Sequence, residues 1–156
     1  MINALIRVVY RLAHWGLRLL WFIRRPETTG ALVAVWCRGR VLLVKNSYRS
    51  HLTLPGGYVK AREDRRTTAA RELREEVGIQ VQPKRLVHAY HGTHLFEHRK
   101  DTLDIYELEV DEEPKVRVDD REVVAAEFHS PDEALSLSIV PHLEEYLSRR
   151  VGRTAG

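Results

Sequence analysis

The segment from Pro55 to Val81, PGGYVKAREDRRTTAARELREEVGIQV, constrains the fold of this chain more than any other. Proline favours extended backbone before it, the glycine pair permits a sharp turn, and from Asp64 the apolar residues follow a helical period. Asp64 is suited to cap the helix N-terminus, and Gly78 stands where a left-handed residue ends it. Ala69, Ala70, Leu73 and Val77 share one face, which predicts burial against a sheet. Glu72, Glu75 and Glu76, at i, i+3 and i+4, are expected on the opposite face. Like charges at these spacings cost a helix only about a few tenths of a kcal/mol each. Taken alone, the three acids fit either a solvated charged face, with Arg71 and Arg74 as partners, or a metal site.

The remaining chain limits the context. At 156 residues and 44% hydrophobic, it can bury one ordinary core. The net charge of +3 and pI of about 9.2 exclude a polycation built to coat nucleic acid, so no sequence-specific nucleic-acid partner is expected. Cys37 is the single cysteine and cannot form an intramolecular disulfide; its apolar run ALVAVWC predicts a small buried hydrophobe. No cleavable signal pattern is present, and the expected compartment is the cytoplasm.

Residues 4–25, ALIRVVYRLAHWGLRLLWFIRR, stand apart. Arg7, Arg11, His14 and Arg18 recur at helical intervals and form one basic stripe on an apolar helix. The arginines make a spanning helix costly and interrupt any signal-peptide core. Three uses remain for this basic amphipathic helix. It could pack on the body of the protein, pair with a second subunit in a homodimer, or lie on an anionic membrane surface, peripheral to its inner face. Trp15, Trp21, Tyr10 and Arg24-Arg25 have the character of interfacial anchors.

After Pro26 the runs TGALVAVWC and RVLLVKN flank a tight hairpin at Arg38-Gly39-Arg40, and further strands are expected over 79–91, 102–110 and 122–128. SPDEAL and IVPHLEEYL predict one or two closing helices. Such an order implies mixed α and β layers rather than a regular parallel repeat.

The acids of the central helix belong to a longer pattern. Gly57 is followed by five residues and Glu63, then by seven residues and Arg71, Glu72, Leu73, Glu75, Glu76, Gly78 and Ile79. At average residue usage, meeting all nine positions by chance is well under roughly one in a million. The segment resembles the signature of the Nudix hydrolases, G-x5-E-x7-R-E-U-x-E-E-x-G-U with U apolar, at every defined position. RVLLVKN, LTLPGG and EVVAAEFHSPDEAL resemble the flanking elements of that family. The resemblance implies an α/β (α+β) fold, an α/β/α sandwich with a mixed sheet, over residues 28–147, with the helix of residues 1–25 and a tail at 148–156 outside it.

It also implies a pyrophosphohydrolase that uses Mg²⁺, with Mn²⁺ as a substitute, to cleave a diphosphate linkage in a nucleotide-derived small molecule. Mg²⁺ prefers oxygen ligands and keeps several waters, so a few carboxylates on a rigid helix suffice. By motif position Glu72, Glu75 and Glu76 look like metal ligands, and Glu72 also like the group that orients or deprotonates the attacking water. Gly56 resembles the glycine whose carbonyl joins the metal shell. Arg71 is expected to hold the acids by salt bridging, and Glu63 to tether loop to helix, touch the metal indirectly or ligate it directly, with Gly57 and Gly78 as supports.

Glu122, six residues before Phe128, is the first choice for a further ligand, with Glu97, Asp101 and Asp104 as rivals. His88, His91, His94 and His98 would suit zinc on a helix, but the apolar neighbours and Gly92 suggest a strand and loop, in which they contact substrate or solvent. Leu52 departs from the family, where an aromatic is common, and removes one stacking surface. The substrate stays open among ADP-ribose-like compounds, nucleotide sugars, dinucleoside polyphosphates and nucleoside triphosphates. The alternative to an enzyme is a silent ligand-binding or membrane-associated module on the same fold.

Overall fold

The computed structural model describes residues 2–24 and 27–154; residues 1, 25, 26, 155 and 156 of the expected terminal segments lie outside the described residues. Helix α1 (Ile2–Arg24) precedes strands β1 (Glu27–Cys37), β2 (Arg40–Asn46), β3 (Leu52–Thr53) and β4 (Gly56–Tyr58). Helix α2 (Arg65–Val77) follows, then β5 (Val87–Phe96), β6 (Arg99–Val110), β7 (Val123–His129), α3 (Pro131–Ser136) and α4 (Pro141–Thr154).

Strand β1 is the axis of a seven-stranded mixed sheet of order β3-β2-β1-β6-β5, with β4 also on β1 and β7 on β2. It runs parallel to β6 in register from Glu27↔Lys100 to Cys37↔Val110. At one end it turns back into β2 through Arg38 and Gly39, both at positive φ (49° and 77°), a conformation whose twist matches the flanking strands. At its other end, Gly30 to Leu32 pair with β4.

Alternation along β1 explains the layers. Ala31, Val33 and Val35 pack with Ala69, Ala70, Leu73 and Val77 of α2 on one face. Leu32, Ala34 and Trp36 pack with Ala134, Leu143, Tyr146 and Leu147 of α3 and α4 on the other. Because both faces are covered, the strand is a continuous apolar run, and each fully buried Leu or Val contributes about 1.5–3 kcal/mol. The result is the expected α/β/α sandwich with an added N-terminal helix.

Four expectations need correction. The run 79–91 is not one strand: Pro83–Arg85 form a 3-10 turn and β5 begins at Val87, because Pro83 cannot donate to a ladder. Strand β5 then continues to Phe96, past the expected end at 91, with a bulge between His88 and Tyr90; His88, His91 and His94 lie in it and His98 in the turn, the strand and loop expected of the histidine run. Residues 148–154 continue α4 and form no separate tail. Glu76 is not on the solvent side of α2; it is 7% exposed, because it lies on the buried stripe of Ala69 and Leu73 at i+7 and i+3.

Helix α1 packs on the body through Arg7, Arg11 and His14 of its basic stripe, while Arg18 stays exposed. Arg7 binds the backbone and carboxylate of Asp120, Arg11 Nε donates to Ser47 O at 2.9 Å, and His14 Nε2 lies 3.3 Å from Glu97 Oε1. Trp21 stacks over the Arg99 guanidinium at 4.3 Å, and the Tyr10 and Tyr48 rings stack at 6.4 Å. Among the described residues no helix is long and apolar enough to cross a membrane.

Candidate active site

Local sequence rules place the site between β4 and α2. Asp64 accepts from Thr67 N–H, and Gly78, at φ 74°, donates its N–H to Arg74 O, so α2 begins and ends where the sequence requires. The glycine pair lets β4 pass between β1 and the helix acids. A Cβ on Gly56, at φ 151°, would lie 2.4 Å from Ala31 O, and one on Gly57 would lie 2.6 Å from Glu72 Cδ. Gly56 N–H donates to Glu76 Oε2 at 2.9 Å.

Arg71 ties the acids together. It donates to Glu63 Oε1 and Oε2 at 2.8 and 3.0 Å, to Glu72 Oε1 at 2.7 Å and to Glu75 Oε2 at 3.1 Å. Glu63 also accepts from Thr68 Oγ1, and hydrogen bonds from Arg71 and Thr68 lower its pKa to about 2. It is thereby a loop-to-helix brace that stays ionised.

Glu72 and Glu76 behave in the opposite way. Burial pushes the Glu76 carboxyl well above the usual range, and repulsion from Glu122, Glu72 and Asp119 adds to it while the Gly56 N–H opposes. Burial likewise raises Glu72, helped by repulsion from Glu75 and Glu122 and opposed by Arg71. The cluster thus holds more negative charge than its own cations compensate.

Glu122 joins from the loop before β7. Its carboxylate accepts from Tyr48 Oη at 2.7 Å, and its carbonyl from Ser47 N–H at 2.8 Å. The rivals have other partners, Glu97 with His14 and Arg49, Asp101 with Thr28 and Arg99, and Asp104 with Arg65, His88 and His91, although Asp101 lines the same cleft as Glu122. His94 turns to Tyr90 and Glu145, and His98 meets the Phe22 ring, so the four histidines do not converge.

Glu72, Glu76, Glu122, Gly56 and Gly57 line one cleft of about 500 Å³. Glu75 is not in that lining; its half-exposed side chain stays with Arg71 and Arg74. The inner side of α1 also walls the cleft, through Tyr10, His14, Leu17 and Trp21. Sequence reading missed this wall, and it missed Asn46, Arg49 and His142, which line the cleft from β2, the following loop and α4. Asn46 Oδ1, Arg49 Nε and His142 Nε2 are buried without a hydrogen-bond partner in the protein. A polar residue inside an apolar run, as in IVPHL, was the available signal for His142.

The donor chemistry fits a hard divalent cation. Among the described residues no ready-made cluster of three ligands exists, since Arg71 and the Gly56 N–H hold oxygens of Glu72 and Glu76. Yet all the groups are carboxylates, and their mutual repulsion in a buried place is what a cation relieves.

A mixed sheet between helices, with a glycine turn set against an acidic helix at the cleft, defines a pyrophosphohydrolase of the Nudix type. The NUDIX domain matches residues 25–149, and the chain belongs to the Nudix family. The fold is similar to that of a MutT protein from Methanosarcina mazei Go1 at TM-score 0.73 and 18% identity, covering 85% of this chain and 98% of that one. An Ap4A hydrolase of C. elegans superposes at TM-score 0.70 and 18% identity, over 83% of this chain and 98% of that one. The E. coli dihydroneopterin triphosphate pyrophosphohydrolase gives 0.69 and 19%, over 80% and 95%. No curated protein matches the sequence significantly. Helix α1 precedes the matched domain.

Proposed function

We propose that this enzyme hydrolyses a diphosphate linkage in a nucleoside diphosphate derivative with Mg²⁺, or Mn²⁺ in its place, in the cytoplasm. The observation that carries the reading is the gathering of Glu72, Glu76 and Glu122 in one cleft, with two of them raised by burial and mutual repulsion. The carboxylates of Glu72, Glu75, Glu76 and Glu122 and the carbonyl of Gly56 would hold the cation, with Glu75 turning in from its place beside Arg71. When bound, the cation neutralises the diphosphate and acidifies a water.

The chain's own residues do the rest. Glu72, oriented by Arg71, takes a proton from the water as its oxygen attacks phosphorus and the bond to the bridging oxygen breaks. Glu63 keeps Arg71 in place. The Trp21 and Tyr58 rings, with Asn46, Arg49 and His142, are suited to hold the nucleoside or its counterpart. The volume suits a nucleotide-sized ligand. Similar proteins whose names carry Ap4A and dihydroneopterin triphosphate support the range of dinucleoside polyphosphates, nucleoside triphosphates, nucleotide sugars and ADP-ribose-like compounds.

The test is a hydrolysis screen over these compounds with Mg²⁺ and with Mn²⁺, scoring released phosphate and mononucleotide. Glu76→Gln keeps an acceptor for the Gly56 N–H and so keeps the fold; it is expected to lower turnover by about 10³-fold or more. Silence of the wild type across the panel, with metal bound, would instead favour a ligand-binding module.

A further inference from the structure

The structure turns α1 the opposite way from a basic helix lying on its charged side. Arg7, Arg11 and His14 fasten it to the catalytic domain, and what faces outward is apolar. Leu5, Leu12, Trp15, Leu19 and Ile23 are 65–77% exposed, at intervals that draw one stripe along the helix. No charged side chain interrupts that stripe, and the helix is about 34 Å long at 1.5 Å per residue.

The apolar surface continues onto the catalytic domain. Phe22 meets His98 edge-on at 5.1 Å, and beside it Leu95, near the tip of the β5–β6 hairpin, is 84% exposed. Next to this edge lies a cavity of about 910 Å³ lined by Arg18, Arg49, His51, His98, Arg99 and Lys100. Two acids share it: Glu27 pairs with Lys100 at 2.9 Å and Glu97 with Arg49 at 3.4 Å, while Arg99 pairs with Asp101 at 2.7 Å, so Arg18 is the cavity's uncompensated cation among the described residues. Among the described residues, no acid lies within salt-bridge distance of Arg18. Arg24 is exposed at the end of the helix.

We infer that the outward face of α1 and the Leu95 edge dock on an anionic lipid bilayer, with headgroup phosphates meeting Arg18, Arg24 and the basic cavity. A large exposed apolar stripe beside Arg18, Arg24 and a cavity whose lining holds four Arg or Lys against two Glu is complementary to such a surface in both respects. A second copy on the same face would bury the apolar stripe but bring two basic rims together, which costs association. The helix is also a wall of the catalytic cleft, so docking would hold that wall from outside. The inference is independent of the substrate reading.

The test uses the full chain and vesicles of phosphatidylglycerol mixed equally with phosphatidylcholine, against phosphatidylcholine alone. The wild type is expected to sediment with the anionic vesicles at least about tenfold more strongly than with the neutral ones. Leu12→Glu should abolish sedimentation while hydrolysis in vesicle-free solution stays unchanged, because Leu12 does not line the cleft. Arg18→Glu with Arg24→Glu should remove the preference for anionic lipid. Brominated lipid should quench the tryptophan emission of the wild type and quench Trp15→Phe much less, a readout that needs no folding comparison. Folded wild type that leaves both vesicle types in the supernatant overturns the proposal. So does a wild-type dimer by light scattering that Leu12→Glu dissolves and that ignores lipid, since a second copy then covers the stripe.

Discussion

Glu76 is a carboxylate on a stripe where the helical period asks for an apolar residue, and that conflict marks the site. Its neighbours at i−7 and i−3, Ala69 and Leu73, are fully buried, so the acid is carried into the same layer and survives there on a hydrogen bond from Gly56. The glycine beside it acts on geometry alone. Gly57→Ala would place a methyl 2.6 Å from the Glu72 carboxyl carbon, and the flexible end of Glu72 must move. Folding should survive while kcat/KM falls by about 10²-fold, the cost of a misplacement near 1 Å, as steady-state kinetics would measure. His142 titrates differently. Burial, with His94, Arg49 and Arg99 nearby, lowers its pKa from 6.5 to about 3. Between those values the unfolded chain binds one more proton than the folded one, so this residue's contribution to stability is full above pH 6.5 and is lost as pH falls toward 3. Urea unfolding should show a slope approaching about 1.4 kcal/mol per pH unit in that window that His142→Leu removes.

At the scale of elements, α2 was legible because its instructions are local. Asp64, Gly78 and the apolar period act within a turn or two of chain, and the helix runs from Arg65 to Val77 as they require. Asp64→Ala removes the acceptor for Thr67 N–H and is expected to cost about 1 kcal/mol, read from the shift of a urea transition at constant m. The hairpin at Arg38 and Gly39 was legible for the same reason. The segment after α2 was not. Its apolar residues resemble a strand, yet Val81 packs against the α2 core from a loop, and the strand starts only after the Pro83 turn. Sheet pairing is decided by a partner distant in sequence, and β5 has its partner in β6. The histidine run shows the same limit: strand alternation and the bulge bring His88 and His91 together on Asp104 but send His94 to Tyr90 and Glu145, which no local spacing encodes.

For the whole molecule, the sandwich follows from β1, whose two faces need two covers. Helix α2 supplies one, and α3 with α4 the other. The amphipathic character of α1 was plain in the sequence, but which face would meet the protein was a tertiary matter. Arg7, Arg11 and His14 find fixed acceptors at Asp120, Ser47 and Glu97, which come from three separate loops and turns. The apolar stripe is left outward for that reason, and of the three uses open in the sequence the one seen here is packing on the body of the protein.

The sequence by itself determined the motif, the caps and turn that present it, and the family those residues belong to, because each depends on neighbours within a few positions. The tertiary structure alone decided that Glu122 lines the cleft with Glu72 and Glu76 while Glu97 and Asp104 do not, and that Asp101, which lines it too, is held by Arg99 and Thr28. It also decided that Glu75 stays at the rim, and that α1, Asn46, Arg49 and His142 complete the cleft. Those choices rest on which distant charges and hydrogen-bond partners a side chain meets once the sheet is assembled, and a carboxylate's spacing along the chain carries no record of them.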